Sequence, residues 1–442
     1  MSRIPARASC EDGTMAGRAE KHAKHGKKPR PAPSPSAPAL QIEAPAAVIS
    51  RRAADRLRAG HVWVYQSDVV QIIGEPSSLL SVADQRGMLL GTALYSPASQ
   101  ITLRLVSADR LNSAQWLDLF RARLQSAIRM RLPMLSAATN ACRLIFSEAD
   151  ALPGIIADKY GDLIILQLLS IALDSSEIRS LATEVLRSEL SPQSIIERTD
   201  PRIRELEQIS APSAAPLYAA NTGDPLLSTS FQLNGLTFHY DANAGQKTGA
   251  FLDQRENYAA AARYAHGEAL DICTYQGGFA LHLAQVCPRV TGVDISRAAL
   301  EVAEKNLAAN AERLKSASVD WIEANAFDLL RDWSLSGAAY DTIVLDPPAF
   351  AKSKRAVEGA LRGYKELNLR AIKMLRPGGT LVTCSCSHHV SPADFQQVVA
   401  AAAADAGRRV RLVERRGAAP DHPVILTIPE TEYLKCLICS VD

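Results

Sequence analysis

No apolar run in this chain approaches the roughly 18 residues that a membrane-spanning helix needs, so membrane insertion is not expected. The basic stretch near the N-terminus has no apolar segment behind it, and a secretory signal is not expected either. Cysteine is sparse, eight in 442 residues, and no two CxxC motifs pair at metal-binding spacing. A metal site therefore finds no support. Cys273, Cys384, Cys386, Cys436 and Cys439 fall in apolar, strand-like segments, as reduced cysteines do, which makes a cytoplasmic location the expectation. An excess of one charge is lacking too: 49 Lys and Arg stand against 47 Asp and Glu, so any basic face has to be local. What is present, 47% hydrophobic and 22% charged residues, is the balance of a globular protein long enough for about two or three domains.

Four parts are expected. Residues 1–45 run from Lys21, His22, Lys24, His25, Lys27, Lys28 and Arg30 into a Pro-Ala-Ser-rich stretch that cannot bury a core; a disordered tail is predicted. Residues 46–112 carry short strand signals at 62–65, 87–95 and 101–106, a small β-rich domain. Over 113–131 the residues Trp116, Leu117, Phe120, Leu124 and Ile128 recur at helical spacing, and strands at 143–146, 163–168 and 194–198 with a helix near 174–190 make 113–215 a compact α+β module. From 216 to 442 strands alternate with helices, at 269–273, 290–294, 318–322, 341–345, 380–386, 409–414 and 433–439, which predicts a seven-stranded, parallel, doubly wound α/β domain. Ligands in such sheets bind at the carboxyl ends of the strands.

The first of those strands ends Asp271-Ile272-Cys273-Thr274-Tyr275-Gln276-Gly277-Gly278, placing two glycines where backbone can approach a ligand, and Asp294 closes the next strand where its carboxylate can accept from ribose hydroxyls. The third glycine of a nicotinamide-type fingerprint is missing. An acidic residue before the turn suits S-adenosyl-L-methionine, whose methionyl end is cationic; a purely structural turn is the competing reading. Asn325, Ala326 and Phe327 follow the third strand, either against an adenine or as a helix cap and a core phenylalanine.

Asp346-Pro347-Pro348-Ala349-Phe350 follows the fourth strand; the prolines hold the chain rigid, so that Asp346 can clamp a planar base on which Phe350 stacks. The fifth strand carries Cys384 and Cys386 on one face, with Cys386 nearer the carboxyl end. C5 of a pyrimidine is too weak a nucleophile to take a methyl group unaided. Thiolate addition at C6 makes it enamine-like, and an acid at N3, assigned to Asp346, stabilises the developing charge. Both thiols could instead be buried and inert, and His388 or His389 is either a base for the C5 proton or a surface residue. Two other functions stay open: an exocyclic-amine methyltransferase using Asp346-Pro347-Pro348 with no covalent step, and an RNA-binding protein without turnover.

With these motifs the sequence resembles the RlmI-type family of bacterial class I S-adenosylmethionine-dependent 23S rRNA cytosine-C5 methyltransferases. Seven stretches carry the resemblance, at 58–65, 146–154, 245–257, 275–278, 346–350, 385–387 and 421–423. It implies a PUA-like RNA-binding domain over 46–112, the central module, a Rossmann-like methyltransferase domain, ribosomal RNA as partner and often a homodimer. It also implies that Lys247, Thr248, Asp253, Gln254 and Arg255 line the cofactor pocket and that Cys386, in Ser385-Cys386-Ser387, is the nucleophile. Asn325 stands where the family usually has Asp. In the PUA-like region Arg51, Arg52, Arg56 and Arg58 would hold phosphates, while Trp63 and Tyr65 either stand beside RNA or alternate into the β core.

Overall fold

The computed structural model describes residues 42–243, 250–351 and 353–442. Most of the expected tail, and Lys247 and Thr248 with it, lie outside the described residues.

The first layer is a six-stranded sheet ordered β2-β6-β5-β4-β1-β3, from β1 (Ala46–Ile49), β2 (Trp63–Tyr65), β3 (Val69–Ile73), β4 (Leu79–Asp84), β5 (Leu89–Tyr95) and β6 (Ile101–Ser107). Helix α1 (Arg51–Arg58) starts at Ser50, whose hydroxyl accepts the Ala53 N–H, and buries Ala53, Ala54 and Leu57 against the sheet. Alternation on β2 sends Val64 into the core and leaves Trp63 and Tyr65 half-buried on the other face. They are therefore not core residues: the Trp63 indole donates to Glu148, 2.9 Å away, and Arg56 lies over the Tyr65 ring.

Helix α2 (Ser113–Arg131) opens with a reciprocal cap between Asn112 and Gln115 and buries Trp116, Phe120, Leu124 and Ile128. It packs on β7 (Ala141–Phe146), which begins a five-stranded sheet ordered β11-β10-β9-β8-β7 with β8 (Ile155–Tyr160), β9 (Leu163–Leu168), β10 (Ser194–Glu197) and β11 (Tyr218–Ala219). Helices α3 (Ser176–Leu190) and α4 (Pro201–Glu207) flank β10 in sequence. A hairpin, β12 (Ser228–Leu233) and β13 (Leu236–Asp241), then carries Phe231 and Tyr240 onto Tyr160, ring centroids 5.1 and 4.3 Å apart.

Next come α5 (Arg255–Tyr264), β14 (Glu268–Ile272), α6 (Gly278–Leu283), β15 (Arg289–Asp294), α7 (Arg297–Ala309), β16 (Ser318–Glu323), α8 (Ala326–Ser336), β17 (Tyr340–Leu345), α9 (Val357–Met374), β18 (Leu375–Ser385), α10 (Pro392–Asp405), β19 (Val410–Arg416) and β20 (Lys435–Val441). The seven strands order as β16-β15-β14-β17-β18-β20-β19. The sheet is not wholly parallel, as the alternation had implied: β20 runs antiparallel to both β18 and β19. No crossover helix separates β19 from β20, so the chain can return in the opposite sense and slot between its neighbours. β14 and β17 lie at the sheet centre with β15 and β18 beside them, and the site gathers over their carboxyl ends.

Candidate active site

After β14 the backbone enters a tight turn in which Cys273, Tyr275 and Gly277 all take positive φ, the last at 84°. The Tyr275 N–H donates to Asp294 Oδ2 at 2.9 Å, and Asp294 Oδ1 accepts the Ser296 N–H. Asp271 is buried beneath the turn rather than on its open side. Its Oδ2 accepts from Thr274 Oγ1 at 2.6 Å and from the Ala280 N–H at 2.9 Å, while Oδ1 has no partner. Burial pushes this carboxyl up to about 7. Gly277 is required by its left-handed backbone. Gly278 borders the cavity, but the space its missing Cβ leaves belongs to the Tyr258 ring, since a Cβ there would lie 2.5 Å from Tyr258 Cζ.

The turn forms one wall of a cavity of about 640 Å³. Asp294 and the 324–327 segment form a second wall, and Asp346 to Phe350 a third. Asn325 caps α8, its Oδ1 accepting the N–H groups of Phe327 and Asp328, so the cap half of the sequence reading describes its oxygen. Ala326 and Phe327 line the cavity; the Phe327 ring is 37% exposed and faces Phe350 at 5.8 Å.

Asp346 is anchored by a chain of side chains. Arg416 donates to Asn257 Oδ1, Asn257 Nδ2 donates to Gln254 Oε1, and Gln254 Nε2 donates to Asp346 Oδ1 at 3.0 Å. Because Asn257 occupies the amide oxygen, the amide nitrogen of Gln254 has to face the carboxyl. Desolvation, reinforced by the nearby Asp253 and Asp271, raises Asp346 to about 8, so it is largely protonated at neutral pH. Asp253 also lines the cavity and accepts a 2.6 Å bond from the Tyr433 hydroxyl.

Arg255 departs from the expectation of a pocket residue. Its guanidinium turns away from the cavity and pairs with the fully buried Asp421, at 3.0 Å. Asp421 also accepts the Arg143 N–H from β7, and its Oδ1 lies 3.2 Å from the His422 ring. Burial alone would raise this carboxyl, but these partners outweigh it and hold it down at about 2.

Cys386 sits one residue past the end of β18, on the cavity wall, with Sγ 4.0 Å from the Pro347 carbonyl oxygen. Cys384 does not reach the cavity: it is sealed in the core against Cys436. Burial, then Asp346 and Asp253, push the Cys386 thiol up to about 11. Ser387 ties this segment to the proline loop, its Oγ accepting the Ala351 N–H at 3.2 Å and lying 2.9 Å from the Tyr364 hydroxyl. His388 lines the cavity against Tyr433, whereas His389 does not. Asn257 and Tyr258, and after them Ser387 and Tyr433, were given no site role from the sequence, although Asn257 and Ser387 fall inside its motif stretches. The first two follow Gln254 by three and four residues, a helical spacing that could have pointed to them.

The α1 arginines are less available for phosphate than their number suggests. Arg52 and Arg56 share Asp68, and Arg58 pairs with Asp84 at 2.5 Å and with Asp55. Arg51 is the most open, 86% exposed beside Asp55.

Residues 201–438 match the family described as S-adenosylmethionine-dependent methyltransferase, and residues 48–108 match a PUA-like domain. The ribosomal RNA large subunit methyltransferase I of Pseudoalteromonas translucida is 36% identical over 390 residues, covering 87% of this chain and 96% of its own length. The enzyme of that name from Shewanella amazonensis is 38% identical over 387 residues, 86% of this chain and 95% of its own. The chain belongs to the ribosomal RNA large subunit methyltransferase I family. Its fold agrees with the solved chain of SMU.776 complexed with SAH and with a solved chain from Streptococcus mutans, each at a TM-score of 0.74 and 19% identity over 89% of this chain and 99% of the other. Membership of this methyltransferase I family makes S-adenosylmethionine the cofactor and methyl transfer the activity. Among the described residues no helix is long and apolar enough to cross a membrane.

Proposed function

We propose that the protein methylates C5 of a cytosine in large-subunit ribosomal RNA through a covalent Cys386 adduct. The observation that carries this reading is the meeting of a thiol and a protonatable carboxyl, Cys386 and Asp346, on one cavity wall, joined through the Pro347 carbonyl.

The residues around the turn fit the cofactor. The unpartnered Oδ1 of Asp271 lies beneath the turn, where a cationic amino acid end would favour its ionised form over the acid that burial raises to about 7; Asp294 stands where ribose hydroxyls would donate, with the apolar Phe327 for an adenine. When bound, S-adenosylmethionine supplies an electrophilic methyl on a sulfonium. The chain's own groups prepare the base to receive it. Phe350 stacks on the ring and Pro347 and Pro348 keep the loop rigid, while Asp346, held protonated, donates toward N3. The Cys386 thiol passes its proton to water as its sulfur bonds to C6, and the electron pair displaced to C5 would take the methyl as that methyl's bond to the sulfonium sulfur breaks. His388, kept below the ordinary histidine value by desolvation and then by the Lys435 charge, is neutral at pH 7 and takes the C5 proton. The C6–S bond then breaks and the sulfur leaves as it came. The target base has to be splayed from its stack to reach this depth. Arg51 and Arg52, the more exposed cations of α1, hold flanking phosphates.

The test is trapping with 5-fluorocytosine-substituted ribosomal RNA, in which the C5 substituent cannot be removed. A protein–RNA adduct that survives denaturation is expected with the wild type and is absent in Cys386→Ala. Methylation that continues in Cys386→Ala would exclude the covalent route and leave the exocyclic-amine reaction.

A further inference from the structure

Lys435 is the first residue of β20, paired across the sheet with Ser385, the last residue of β18. It is only 4% exposed, an unusual place for a lysine. Its Nζ donates to the carbonyl oxygens of Ser387 at 2.7 Å and Tyr433 at 2.8 Å. Ser387 follows Cys386, and Tyr433 lines the same cavity. Each carbonyl marks a chain segment that has left its strand, so the ammonium bridges the two segments between which the Cys386 thiol emerges. No carboxylate pairs with it among the described residues, leaving its charge to be balanced by whatever anion forms nearby.

We propose that Lys435 is a positioning residue for Cys386: it pins the two segments beside the thiol and supplies the positive charge that lets a thiolate form in this otherwise acidic pocket. The inference rests on the covalent reading of Cys386. Beyond the cost of burial, Asp346 and Asp253 oppose its ionisation as carboxyls, and a thiolate there would in turn push up the phenols of Tyr433 and Tyr364. Lys435 is the charged side chain that favours the anion, beside a backbone hydrogen bond at Cys386 itself. Glu432 and His388 face Lys435 in turn, Glu432 sustaining its charge and His388 feeling its repulsion. Desolvation brings the ammonium down to about 8, close enough to neutrality that the charge has to be worth its burial.

The experiment is the pH profile of Cys386 alkylation by iodoacetamide, followed by mass spectrometry of the peptide that carries it, with Cys386→Ala as background. Lys435→Met removes both charge and donors; Lys435→Gln keeps an amide donor for the carbonyls and removes the charge alone. At pH 7, below the ammonium's own pKa of about 8, labelling in both folded variants should fall by up to about tenfold, and the difference from wild type should close as the pH rises past 9. Methylation should fall in step while S-adenosylmethionine affinity, read by calorimetry, holds. Superimposable alkylation profiles in wild type and Lys435→Gln would overturn the proposal, whatever Lys435→Met does to folding. A shifted profile without 5-fluorocytosine trapping in the wild type would instead remove the covalent reading beneath it.

Discussion

Replacing Asp346 with Asn keeps the shape and the Gln254 contact but removes the proton that the carboxyl, raised to about 8, carries at neutral pH. An asparagine amide can still donate a hydrogen bond, yet it has no proton to yield to N3 as charge develops there. Loss of a general acid costs on the order of 10²- to 10⁴-fold in kcat/KM, so the ratio of wild type to Asp346→Asn should stand at about 10² or more at pH 7. The diagnostic feature is how that ratio varies. Below the carboxyl's own pKa the acid form is saturated and the ratio is flat. Above it, the wild type loses its donor about tenfold for each pH unit while the variant has nothing to lose, so by pH 9.5 the ratio should fall by more than about tenfold. Dividing the profiles cancels the titrations they share, that of Lys435 among them, while the Cys386 thiol, which only an ionised Asp346 pushes up, moves the ratio in the same downward direction at high pH. The assay is single-turnover methylation of ribosomal RNA between pH 6.5 and 9.5. A ratio that stays constant across this window would refute the assignment of a protonated Asp346 to N3.

Asp421→Asn leaves Arg255 without its buried partner and should lower stability at pH 7 by about 3 kcal/mol, measured by urea unfolding. A carboxyl depressed from an ordinary value near 4 to about 2 contributes stability above pH 4 that is lost as pH falls through 2, so the gap between wild type and variant should shrink by about 2 kcal/mol over that acid window. Gly278→Ala forces a methyl into the Tyr258 ring and should cost about 1–3 kcal/mol, seen as a lower Tm. Cys386→Ala should bind S-adenosylmethionine as the wild type does in calorimetry, since its side chain lies beyond the turn that would hold the cofactor.

The inner strands of residues 216–442, such as β17, were legible because they are short, largely apolar and closed by a polar turn, whereas the antiparallel entry of β20 was not: local periodicity carries no strand direction. The β12–β13 hairpin escaped notice because its alternation includes Ser and Thr at positions that pack or pair only in three dimensions. At the site, Asp346, Phe350 and Cys386 could be placed on one cavity from strand order and the carboxyl-end rule. Arg255 could not be sorted from Gln254, because neighbours at a helix start point to different faces and only the distant Asp421 decides which one is drawn inward. Lys435 carried no signal at all; a lysine opening a strand looks like a solvated edge until the strand is found between two others.

The Tyr160 ring stacks almost flat on Tyr240, 8° between planes, and meets Phe231 edge-on, while Asp421 accepts from both Arg143 and Arg255. A fragment beginning at residue 216 would thus bare an aromatic surface and forfeit one donor to its innermost anion. Such a piece should clump on expression, and chimeras that exchange the front half for that of another relative will need both halves of this seam to come from the same parent.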